Sequence, residues 1–160
     1  MTGFGYWVSG IGSQETFEVN RMALRSYREL EVWQRAMDLV EAVYHLTEHF
    51  PGEEKFGLTS QIRRAAVSIP ANIAEGYGRS HRGDYLRHLS IAKGSLSEME
   101  THLTLAVRLK FVEREQALTC WELAQQVGQM LTRLNQSLRK TQEIPPEPES
   151  RNPRPEFRNV

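Results

Sequence analysis

The sequence predicts an all-α fold, an antiparallel up-down-up-down four-helix bundle, and three observations carry that prediction. Four stretches place apolar residues at helical spacing, and the connections between them are short. Nowhere does polarity alternate with period two for long enough to make a strand. At 160 residues the chain is long enough for one domain with a real core.

The first helix is YRELEVWQRAMDLVEAVYHLTEHF (27–50). Leu30, Trp33, Met37, Val40 and Tyr44 form one apolar stripe, and Val32, Ala36, Leu39, Val43, Leu46 and Phe50 run beside it. Together the stripes cover roughly 200° of the helix, where a surface helix needs about 100°. The excess calls for burial against two neighbours in the chain or against another subunit. Phe50-Pro51-Gly52 stops the run.

The second helix runs from about Thr59 through Ala74 and ends in the glycines of EGYG (75–78), since glycine tolerates the left-handed backbone of a helix stop. Ile62, Ala66, Ile69 and Ile73 form its inward face. Pro70 interrupts this run, removing one backbone hydrogen bond at a cost of about 3 kcal/mol. Two readings stand: the helix bends to follow the core, or the bend presents a basic surface with the loop GYGRSHRG.

The third helix begins near Asp84, a good N-cap, and continues to about Lys110. Its core stripe is Tyr85, Leu89, Ala92, Leu96, Met99, Leu103 and Ala106. Opposite lie Ser90, Gly94, Ser97 and Thr101, a small-residue face that either admits another backbone or is merely polar. The fourth helix, from about Glu115 to Lys140, carries Leu123, Val127, Leu131, Leu134 and Leu138. The bundle domain is thus 27–140. Residues 1–26, Gly-rich at first, read as a loosely ordered extension in which Met22 is an alternative start. Residues 141–160, with IPPEPESRNPRPEF, read as a Pro-rich disordered tail.

Lys+Arg and Asp+Glu number 20 each, which removes the simplest argument for nucleic-acid binding, a strongly basic chain. The lone cysteine, Cys120, cannot form an intramolecular disulfide and reads as a small buried residue. No apolar run approaches a membrane span, and the first 20 residues lack the basic start of a signal peptide, so a cytoplasmic location is expected.

The neutral total hides segregation. From residue 60 to 95 the charges are Arg63, Arg64, Arg79, Arg82, Arg87 and Lys93 against Glu75 and Asp84, six to two. The first helix has the opposite balance, with Arg28 and Arg35 against Glu29, Glu31, Asp38, Glu41 and Glu48. The six basic residues are the candidate nucleic-acid contacts, because the arginine fork binds phosphate oxygens in pairs and carries no base readout. The competing reading is ordinary surface charge, with Glu75 and Arg79 an i,i+4 pair.

Other motifs are weaker. HLTEH (45–49) fits H-x-x-E-H, a zinc-peptidase pattern, but His45, Glu48 and His49 fall on the polar arc of a helix about to end. GYGRSHRG matches neither the dinucleotide fingerprint nor the P-loop. No catalytic residues emerge, and no cofactor or metal is expected; the chain reads as a non-enzyme.

YRELEVWQRAMDLV, FGLTSQIRRAAVSIPANIAEGYGR and YLRHLSIAKGSLSEMETHLTLAVRL together resemble the bacterial four-helix-bundle family of 23S rRNA intervening-sequence proteins. The match covers roughly residues 27 to 140, and SIPANIAEG followed by SIAKGSLSE is its distinctive centre. The chain is similar, more weakly, to the accessory protein of diversity-generating retroelements, which works with a reverse transcriptase and binds nucleic acid. The resemblance implies an antiparallel bundle that assembles as a ring-shaped homopentamer, with Pro70 an architectural element of the family's own motif. The retroelement relatives are basic, and this chain is neutral. The leading expectation is an oligomeric, non-enzymatic protein binding structured RNA or DNA. The alternative is a protein-interaction scaffold built on the acidic arc of the first helix.

Overall fold

The structure is a computed structural model that describes residues 24–140; the expected tail and all but the last three residues of the expected N-terminal extension lie outside the described residues. Four helices follow in order: α1 (Glu31–Thr47), α2 (Leu58–Tyr77), α3 (Arg82–Arg108) and α4 (Arg114–Lys140). Short 3-10 turns, Tyr27–Glu29 and Gly52–Phe56, precede α1 and α2. Sequential helices pack on each other and α1 closes the bundle against α4, with α2–α3 the most extensive contact. No helix of the described residues is long and apolar enough to cross a membrane.

The helical stripes meet in one core. Leu39, Ile62, Ile69, Ile73, Met99, Leu103 and Leu131 are fully buried. Each such side chain stabilises the fold by about 1.5–3 kcal/mol through removal of apolar surface from water. In α1 the stripe from Val32 to Phe50 is the buried one. The stripe from Leu30 to Tyr44 is only half covered by the chain's own helices, with Tyr44 41% exposed. Part of the excess is thus buried against neighbours in the chain and part stays open among the described residues.

Helix ends differ from the sequence reading for local reasons. The residues before α1 form a separate 3-10 turn because Leu30 is extended (φ −69°, ψ 119°), while the Ser26 hydroxyl accepts the Arg28 N–H. Phe50 lies beyond the helix yet stays buried, its ring 5.8 Å from that of Phe111. The cap of α3 is His81, in extended conformation with no side-chain cap bond; Asp84 is in the first turn, where its charge still suits the helix dipole. The helix ends at Arg108. Lys110 takes the left-handed conformation (φ 60°), and the Phe111 N–H donates to the Ala106 carbonyl at 2.9 Å.

Helix α2 ends within EGYG as the sequence predicts, with Gly78 as its C-cap, but in the right-handed and not the left-handed region (φ −74°, ψ −8°), and Gly76 lies inside the helix. The helix continues through it to Tyr77, and a Cβ there would stand 2.7 Å from His88 Cβ and 2.8 Å from Tyr85 Cδ2. Its role is close packing of α2 on α3. Of the two readings of the small-residue face of α3, backbone approach finds no partner at Gly94 among the described residues, since a Cβ there would meet nothing within 4 Å. Pro70 is buried within an unbroken α2, which supports a packing role. Beside it a polar layer joins the helices: Ser68 Oγ is 2.9 Å from Ser95 Oγ, and His88 Nδ1 is 3.2 Å from Asn72 Oδ1.

Candidate nucleic-acid interface

The six basic residues singled out in the sequence do not form one patch. Arg63 ties α2 to α1: its Nε donates to Thr47 Oγ1 at 2.8 Å, and its guanidinium lies 4.5 Å from the Tyr44 ring centroid. Thr47 in turn donates to the Tyr44 carbonyl at 3.0 Å. Arg64 beside it is exposed. At 1.5 Å per residue these two stand about 22 Å along α2 from the α2–α3 turn. Lys93 faces α4, with Nζ 3.4 Å from Thr132 Oγ1.

Arg79, Arg82 and Arg87 gather at the α2–α3 turn. Arg79 donates to Glu75 one turn back, and both side chains are about half exposed. Such a pair contributes only about 0–1 kcal/mol and yields readily to a competing phosphate. Glu75 also lies 3.9 Å from His88 Nε2. Arg82 keeps a buried Nη1 that has no hydrogen-bond partner among the described residues. Arg87 is exposed.

Topology adds residues that a count along the chain missed. The start of α1 and the end of α4 lie at this same end of the bundle. The Tyr77 hydroxyl donates to the Leu24 carbonyl at 2.7 Å, bringing Arg25 and Arg28 to the turn. On the other side, Lys93 stands opposite Thr132 and Leu96 opposite Gly128. Antiparallel register then carries Arg139 and Lys140 to the level of the first turns of α3. This end holds Arg25, Arg28, Arg79, Arg82, Arg87, Arg139 and Lys140 against Glu29, Glu31, Glu75 and Asp84, seven to four. The α3 N-terminus, which has no side-chain cap bond, adds positive potential. The only sequence signal for the extra residues was the predicted antiparallel order itself.

The zinc-like motif is laid out in the open. His45 Nδ1 is 3.8 Å from Glu48 Oε1, with both side chains largely exposed, and His49 Nδ1 is 3.3 Å from the Leu46 carbonyl. Among the described residues no three metal-ligating side chains come together. Cys120 is buried, and burial pushes its thiol up to about 11, which leaves it a poor nucleophile at neutral pH.

No curated protein matches the chain. A solved structure from Bacteroides thetaiotaomicron VPI-5482, a protein with unknown function from the S23 ribosomal protein family, is similar at a TM-score of 0.61 and 27% identity, covering 65% of this chain and 97% of that one. The model of the 23S rRNA-intervening sequence protein family matches residues 28–133, two-helix centre included, and the chain belongs to that family.

Proposed function

We propose that this chain is a non-enzymatic, homo-oligomeric, cytoplasmic protein that binds structured RNA or DNA through the phosphate backbone, as an accessory to another machine. The observation that supports it is the basic end of the bundle, where residues from both termini join Arg79, Arg82 and Arg87. Arginine forks and uncapped helix N–H groups both favour phosphate oxygens. The family resemblance adds the ring of five. A ring repeats the basic end around an axis, so weak single contacts add through avidity. No cofactor or metal takes part, and the ligand is recognised by charge and shape.

The test is fluorescence anisotropy of a labelled RNA hairpin and a matched DNA duplex, titrated with nucleic-acid-free protein at two salt concentrations. Binding that weakens steeply with salt supports the reading, and the RNA–DNA difference names the ligand. No binding at low salt sinks it and favours the protein-interaction scaffold.

A further inference from the structure

We infer that copies of this chain join head to tail, with Phe56 and the basic rim of the α1–α2 groove of one copy seated in the acidic groove between α1 and α4 of the next. The inference rests on the homo-oligomeric part of the proposed function and assigns its contact faces.

Phe56 is 88% exposed, the most open large apolar side chain of the described residues. It borders a groove with Tyr44 and Val67, 41% and 43% exposed, whose rim carries Lys55, Arg63 and Arg64. A contiguous exposed apolar patch with a polar rim marks an interaction surface. One face of each ring is already taken by a cation of the chain itself: Arg63 over Tyr44 at 4.5 Å, and Lys55 over Phe56 at 5.6 Å. That arrangement suits insertion of the Phe56 edge into an apolar slot better than stacking of bases.

The chain offers such a slot. The groove between α1 and α4 has Ala42, Leu46 and Leu123 on its floor and Asp38 and Glu41 at its rim. Both grooves thus hold apolar residues, and the rim of the second carries Glu41 and Asp38, the latter paired with Arg35 at 3.2 Å, where the first carries cations. If the first groove met its own copy in a two-fold dimer, Lys55 and Arg64 would face like charges. A heterologous contact instead sets Lys55 and Arg64 against Asp38 and Glu41. Both grooves border α1, and at 100° per residue Glu41 and Asp38 lie about 60° and about 120° around that helix from Tyr44. Two different faces on one copy make the contact heterologous, and such a contact forms a ring when the rotation between copies closes.

Size-exclusion chromatography with light scattering tests the assignment. Wild-type protein runs as an oligomer; a wild-type monomer overturns the homo-oligomer reading itself. Phe56→Ala raises the concentration needed for assembly tenfold or more with unchanged helical circular dichroism, while Leu118→Ala, at another exposed apolar position, leaves assembly as in wild type. Lys55→Glu with Arg64→Glu dissociates the oligomer, as does Asp38→Lys with Glu41→Lys, and all four changes in one chain restore it. If Phe56→Ala and both reversals keep the wild-type mass, the faces are misassigned and oligomerisation stands. Failure of the fourfold variant to reassemble, with its fold intact, overturns the pairing of these two grooves.

Discussion

Replacing Gly76 by alanine sets helix propensity against packing, and the geometry decides which wins. Alanine in a helix interior is favoured over glycine by about 1 kcal/mol. At this position, however, the new methyl would stand 2.7 Å from His88 Cβ and 2.8 Å from Tyr85 Cδ2, against an ordinary carbon–carbon contact of about 3.5–4.0 Å. His88 Cβ is bonded to the α3 backbone, so the overlap cannot be relieved by rotating the end of a side chain. Helices α2 and α3 must part by several tenths of an ångström. Overpacking of this kind costs about 1–3 kcal/mol. Parting the helices also stretches the His88–Asn72 hydrogen bond, 3.2 Å long, which contributes about 1 kcal/mol more. The net expectation is a loss of about 1–3 kcal/mol. Gly94→Ala is the control: it lies within α3, meets no atom within 4 Å, and should stabilise by about 0.5–1 kcal/mol. Urea unfolding of both variants beside the wild type reads the difference. If Gly76→Ala stabilises as much as Gly94→Ala does, the close approach of α2 and α3 at this residue is wrong.

Two further outcomes follow from single residues. Arg63→Lys loses the Nε hydrogen bond to Thr47 and the stacking on Tyr44, so it should lower stability by about 1–2 kcal/mol while leaving nucleic-acid affinity unchanged; an affinity loss with intact stability would return Arg63 to the binding surface. Cys120 should resist alkylation in native protein at pH 8 and react once urea unfolds it. The unfolded thiol ionises near about 8.5 and the folded one near about 11, so the folded state's thiol contribution is whole below the first value and is lost as pH rises through the second. Burial raises Tyr85 as well, in the same direction and at higher pH. Alkaline unfolding of Cys120→Ala should therefore show a shallower decline between about pH 9 and 11 than wild type, and an equal slope would contradict the burial argument.

The core was legible because helical spacing is a local property. The α1 stripe from Val32 to Phe50 and the stripes of α2 and α3 read from the sequence are buried in the structure, with Val127 and Leu131 from α4. The Leu30–Tyr44 stripe and Leu123, Leu134 and Leu138 are not fully buried. What escaped depends on contacts between distant residues. Gly76 looked like a helix stop because glycine often is one; that Tyr85 and His88 crowd it depends on α3 packing. Arg63 and Arg64 are neighbours in sequence, yet one is held between α1 and α2 and the other is open. Counting charge over 60–95 joined Arg63 to Arg87, although the length of α2 separates them. The same count left out Arg139 and Lys140, which antiparallel topology returns to the turn.

The claim at the centre of this account is that the basic end of the bundle contacts phosphate. The most direct measurement is the slope of log affinity against log salt for the RNA hairpin, taken on wild type, on an Arg82→Ala, Arg87→Ala, Arg139→Ala, Lys140→Ala chain, and on Arg108→Ala as a control, an exposed residue at the far end of α3. Each phosphate contact removed should reduce the slope by about 0.9 on a duplex-like ligand. The slope should be shallower by two or more units, about 0.9 per contact, in the fourfold variant and unchanged in Arg108→Ala. Equal slopes in wild type and the fourfold variant would contradict that claim.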